Sequence, residues 1–129
     1  NGYTLNEKVS PFLDLKVGNT YRFDQADNTN SSHPLRFYYD SGKTTIYSTG
    51  VTTNGTPGSA GAYTQIVVSE TTPNILYYQC SSHALMGSRI DIDSSTNVID
   101  TSTAFVNSTG TAINLASTNF AIAQAVALG

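Results

Sequence analysis

Cys80, His83 and Met86 stand at i, i+3 and i+6 in the stretch "YYQCSSHALMGSRI". They are three donor types that soft or borderline metal ions take. Cys80 is the only cysteine and Met86 the only methionine, and the one other histidine is His33, in "HPLRF". Two imidazoles, one thiolate and a thioether form the donor set suited to copper held for one-electron transfer. The bland alternative is that Cys80 is a small buried hydrophobe and Met86 a filler of a core gap. Against it stands the placement of every sulfur and every imidazole of the chain at positions one pocket can collect. Four protein donors would leave no coordination position for a substrate, so an electron-transfer or structural role is expected and an enzyme is not.

The elements that must position these residues are strands. The chain is rich in Thr, Ser, Asn and Gly, with eight tyrosines and no tryptophan. That composition favours short strands joined by polar turns, an all-β fold. "HPLRFYYD" alternates so that His33, Leu35, Phe37 and Tyr39 share one face, with Arg36, Tyr38 and Asp40 on the other. His33 is thereby expected at the start of a strand on its core side. In "ILYYQC", Leu76, Tyr78 and Cys80 share a face, which ends a strand on an inward thiol. Gly87 then lets the chain turn back into "SRIDID", with Ile90 and Ile92 inward and Arg89, Asp91 and Asp93 outward. "PFLDLKVGNTYRFDQ" reads as a hairpin-like pair, "YTQIVVSE" as a strand burying Ile66 and Val68, and residues 41–62 as a Gly/Thr/Ser-rich surface excursion with at most a short strand around "TTIYS".

All six basic and nine acidic residues precede Thr101, so residues 101–129 are uncharged. This stretch is expected to be an assembly segment that packs on other protein subunits. Its end, "STNFAIAQAVALG", reads equally as a short helix capped by Ser117 or Thr118 or as added strands. The expected division is a copper-binding domain over residues 1–95 and an extension over 96–129. The formal charge of −3 leaves no basic patch for nucleic acid. Nor does any apolar run approach the roughly 18 residues of a membrane span. Asn1 is expected to be a processed or cut end. With a lone cysteine no intrachain disulfide is possible.

Weaker signals are read as ordinary surface and core. Asp91, Asp93 and Asp100 lack the glycine and glutamate of a calcium loop and are expected to be solvated acids. Asn30, Asn54 and Asn107 match the glycosylation pattern at the rate chance allows. Tyr78 is expected in the core and Tyr77 outside.

The strand with "HPLRF" and the loop "LYYQCSSHALMGSRIDI" together resemble the cupredoxins, the blue-copper family, over residues 9–93. The C-x2-H-x2-M spacing is similar to that of amicyanin. The resemblance implies a Greek-key β-sandwich with His33, Cys80, His83 and Met86 as the ligands of one copper ion. It also implies a patch around His83, Ala84 and Leu85 where a redox partner would dock. Two positions depart from the familiar carriers. Pro34 replaces an asparagine whose N–H bonds the thiolate, and Gln79 replaces an aromatic before the cysteine. The chain also looks like cupredoxin-like modules in structural proteins of marine bacteriophages. That likeness implies an extracellular or virion-surface location, with a free periplasmic carrier as the alternative.

Overall fold

The computed structural model describes residues 2–94 and 120–128 and is built from strands. The first half holds β1 (Gly2–Leu5), β2 (Lys8–Val9), β3 (Leu13–Lys16), β4 (Thr20–Asp24), a 3-10 turn (Asn28–Asn30), β5 (Leu35–Tyr38) and β6 (Ile46–Tyr47). It continues with β7 (Val51–Asn54), β8 (Tyr63–Val67), β9 (Ile75–Cys80), β10 (Ser88–Asp93) and β11 (Phe120–Leu128). Two sheets result, in the orders β2-β1-β11-β4-β8-β7 and β3-β10-β9-β5-β6.

Between them lies one apolar core, the all-β sandwich expected of the composition. Tyr3, Phe23 and Ile66 enter from the first sheet, and Leu35, Phe37, Leu76, Tyr78, Cys80 and Ile90 from the second. Phe23 meets Phe37 edge-on at 5.5 Å and lies near-parallel to Tyr78 at 6.4 Å, so aromatic pairs join the two layers. Each such side chain contributes about 1.5–3 kcal/mol through burial. Tyr78 also satisfies its hydroxyl by donating to the carbonyl of Pro11 at 2.7 Å. Tyr77 is half-buried on the other face of the strand. No helix among the described residues is long and apolar enough to cross a membrane.

Four expectations need correction. β3 and β4 do not form a hairpin. They belong to different sheets, and Gly18, at φ +92, turns the chain across the core so that Leu15 and Phe23 both become buried. Alternation reveals which face of a strand is apolar but not which sheet it joins. Second, the excursion over residues 41–62 contains β7 besides β6, the short strand expected around "TTIYS". β7 is an edge strand with one half-buried and three exposed residues, so it carries no alternation.

Third, β5 ends at Tyr38, so the period of two stops there. Tyr38 is buried, whereas Tyr39 is exposed and packs edge-on against Tyr47 at 5.4 Å. Fourth, of the two readings of residues 120–128 the strand holds and the helix does not, and the strand belongs to this chain's own sandwich. These residues form β11, antiparallel to β1 and parallel to β4. Ala125 and Ala127 are buried there, and small side chains let a strand lie in a filled slot despite alanine's helix preference. Residues 95–119, including Asp100, Asn107, Ser117 and Thr118, lie outside the described residues.

Candidate metal centre

The antiparallel register of β5 and β9 builds the site. Leu35 pairs with Cys80, and the N–H of Ser81 continues the ladder to the carbonyl of Pro34 at 2.9 Å. The residue before Pro34 and the loop after Cys80 therefore emerge at the same end of the sandwich. There the Sγ of Cys80 lies 3.8 Å from Nδ1 of His33 and 3.7 Å from Nδ1 of His83. The imidazole rings are 4.5 Å apart, centre to centre. One donor atom from each of the three residues falls within 4.8 Å of the others, so the group can hold a metal ion. Cys80 is buried, His33 half-buried and His83 exposed.

Met86, the fourth expected ligand, is buried in the same core cluster as Cys80. Its backbone is held on both sides. Oε1 of Gln79 accepts the N–H of Met86 at 3.1 Å and that of Gly87 at 3.0 Å. The carbonyl of Met86 accepts the N–H of Tyr3 at 2.7 Å and the hydroxyl of Ser10 at 3.0 Å. Gly87 is needed for space. A Cβ there would stand 1.7 Å from the carbonyl oxygen of Tyr78, so no side chain fits where the loop folds back on β9.

His33 is fixed through its main chain. Its N–H donates to the carbonyl of Asn30 at 2.7 Å, and its carbonyl accepts from the Tyr3 hydroxyl at 2.7 Å and Nε2 of Gln25 at 2.8 Å. Oε1 of Gln25 takes the N–H of Leu35 at 2.9 Å. The buried amide thus spans Pro34, which has no N–H of its own. The thiol is not left without a donor by that proline. Ser82 directs its backbone N–H at Sγ from 3.4 Å.

The electrostatics favour a neutral imidazole beside the sulfur. Burial, followed by the neighbouring His83, holds His33 below the ordinary histidine range and so keeps its ring ready to donate a lone pair. Burial foremost, with Cys80 next, pushes the Tyr3 phenol well above its ordinary value. Tyr3 therefore remains a hydrogen-bond donor.

Backbone strain gathers around this end. Ser10, Ser32, Lys43 and Leu85 all have left-handed φ, at 41°, 68°, 60° and 61°, a conformation costly for residues other than glycine. Leu85 is 83% exposed next to Met86.

Several residues that hold the site carried no signal in the sequence. Tyr3, Ser10, Gln25 and Lys43 are distant along the chain and bind through main-chain carbonyls and amides. Gln79 stood out only as a departure from a family pattern. Elsewhere, Asp91 pairs with Arg89 at 2.7 Å and Asp93 with Lys16 at 3.0 Å, as solvated acids would. Asn30 is buried and donates to the carbonyl of Ala125 at 2.8 Å, so it is not an accessible glycosylation acceptor. Asn54 is exposed and donates to the carbonyl of Gly61 at 2.9 Å.

No protein-family model, curated protein or solved structure matches the chain. The functional reading rests on the geometry of the site.

Proposed function

We propose that this chain is a cupredoxin-like module that holds one copper ion through His33, Cys80 and His83, with the thioether of Met86 as a weak fourth donor. The observation that carries the proposal is the thiol flanked by two imidazole nitrogens at 3.7 and 3.8 Å. Both separations are short enough for one ion to be shared by the sulfur and the two nitrogens. A thiolate with two imidazoles is the donor set that suits the His₂Cys sites of electron-transfer copper. The buried sulfur and the Ser82 N–H aimed at it suit a thiolate kept from oxidation and side reactions.

Bound copper supplies a one-electron couple, and the residues do the rest. Cys80 and the histidines fix the donor triangle, Gln79 and Tyr3 hold the segment carrying Met86, and His83 lies nearest to solvent. With four protein donors the role is redox or structural and not enzymatic.

The module is further proposed to belong to a larger extracellular or virion structural assembly, such as a bacteriophage decoration or appendage protein. The support is the uncharged stretch 101–129. Residues 120–128 of it complete this chain's own sheet, so contacts with other subunits are proposed for residues 101–119. A second reading, a free periplasmic electron carrier, is favoured by the exposure of both Leu85 and the nearby His83 in the same loop. Light scattering on the full chain separates the two. Self-association at micromolar concentration supports assembly, and a strict monomer supports the carrier.

The copper reading is tested by adding one equivalent of Cu(II) to metal-free, thiol-reduced protein. The expected result is an intense visible thiolate-to-copper absorption that is lost in Cys80→Ser. A colourless protein with a titratable free thiol would overturn the reading.

A further inference from the structure

Lys43 is not a metal donor, and it lies 37 residues before Cys80 and 40 before His83 in the chain. Its Nζ nevertheless donates to the carbonyl of Cys80 at 2.8 Å and to that of His83 at 3.0 Å. Two of the three donor residues are thus tied by their main chains to one ammonium. The hydrogen bonds are charge-assisted, the stronger class.

The turn that presents Lys43 is built for it. Lys43 has φ +60, while the adjacent Gly42, which could take that conformation freely, does not have a left-handed φ. The carboxylate of Asp40 anchors the turn, accepting the N–H of Thr44 and Thr45 and the hydroxyl of Thr44 at 2.9–3.1 Å. The N–H of Lys43 itself donates to the Asp40 carbonyl at 3.2 Å. These bonds, led by the Thr44 N–H, hold the Asp40 carboxyl below the ordinary carboxylate range. A lysine kept in a conformation that favours glycine has its gain elsewhere. Here the gain is the pair of bonds to the ligand loop.

We propose that Lys43 is a positioning residue of the metal centre. Its ammonium bridges the carbonyls of Cys80 and His83, fixes the span between those two donors before metal arrives, and sets a positive charge beside the bound ion. The charge effect rests on the copper reading, whereas the bridge does not. When Cu(II) is reduced to Cu(I) by one electron from an electrode, the site loses one positive charge. A nearby cation favours the reduced form, so removal of Lys43 lowers the midpoint potential.

Three variants of the full chain test this. Lys43→Met keeps the length and removes the charge, Lys43→Arg keeps both charge and donors, and Lys43→Gly relieves the left-handed backbone. In metal-free protein, amide exchange at residues 81–85 is expected to accelerate roughly tenfold in Lys43→Met and Lys43→Gly but not in Lys43→Arg. Global stability of Lys43→Gly in urea should stay close to that of the wild type, because relief of the left-handed backbone offsets the lost bonds, which separates loss of the bridge from loss of the fold. Copper affinity by chelator competition should fall about 10- to 100-fold in Lys43→Met. The potential should move down in Lys43→Met and return in Lys43→Arg.

Unchanged exchange in Lys43→Met and Lys43→Gly overturns the bridge. Weaker affinity with an unmoved potential overturns the charge effect. A wild type that takes up no copper sinks the copper reading and the charge effect with it, while the exchange arm still decides the bridge.

Discussion

The side-chain oxygen of Gln79 accepts the backbone N–H of Met86 at 3.1 Å and that of Gly87 at 3.0 Å. One buried amide thereby closes the loop that begins at its neighbour, Cys80. In the resemblance to blue-copper proteins this position is a departure, with glutamine in place of an aromatic. Its visible role is mechanical, since two inward-facing donors at the loop's end have no other acceptor among the described hydrogen bonds.

Replacing Gln79 with leucine keeps the volume and removes the acceptor. Two N–H groups would then be left unpaired, and a buried unsatisfied group costs about 1–3 kcal/mol. Gln79→Leu is expected to lower the stability of the metal-free protein by about 2–4 kcal/mol, read from urea unfolding monitored by tyrosine fluorescence. A loss under about 0.5 kcal/mol, within the range of ordinary surface substitutions, would show that water takes over the role.

A second prediction concerns space. The Cβ introduced by Gly87→Ala would lie 1.7 Å from the Tyr78 carbonyl oxygen, 2.6 Å from the carbonyl carbon and 2.9 Å from Cδ2 of the Tyr78 ring. Backbone cannot yield as a side-chain tip can, so β9 and the loop must separate. The expected cost is about 3 kcal/mol or more, in the range of severe overpacking. The visible copper absorption should also shift, because Met86 is displaced. A thermal midpoint equal to that of the wild type would contradict the tight approach.

Much of this arrangement was legible in the sequence. The period of two put Leu76, Tyr78 and Cys80 on one face, and all three are buried. It put Ile90 and Ile92 inward as well, and the clustering of His33, Cys80 and His83 follows from the ends of β5 and β9. What the pattern could not show is partnership across the core. β3 and β4 look like a hairpin because each alternates, yet they lie in different sheets. Residues 120–128 read as either helix or strand, and the place of β11 between β1 and β4 is decided by hydrogen-bond partners far away in sequence. Gln25, Gln79 and Lys43 act on main-chain atoms, for which side-chain patterns hold no record.

The pH dependence follows from His33. Burial and the nearby His83 lower its folded pKa below the unfolded value of about 6.5. Between the two values the unfolded chain binds more protons than the folded one. Stability of the metal-free protein is therefore full above about pH 6.5 and falls as the pH drops toward the folded value. Urea titrations at falling pH should show this decline in the wild type and a shallower one in His33→Gln. Parallel curves for the two proteins would place the titration elsewhere.

The last prediction links the C-terminal strand to the metal centre. β11 pairs with β1 through Gly2–Leu5 and with β4 through Thr20–Asp24, and the Ala125 carbonyl takes a hydrogen bond from the buried Asn30. Deleting residues 120–128 leaves the facing edges of β1 and β4 unpaired, and open edges recruit other chains. β1 also carries Tyr3, whose N–H and hydroxyl hold the carbonyls of Met86 and His33. The truncated chain should aggregate in light scattering and lose copper binding, although every donor residue is still present. Supplying residues 120–128 as a synthetic peptide should restore the β-sheet circular dichroism and the visible copper band together. Recovery of copper binding without the peptide would sever the link between strand and site.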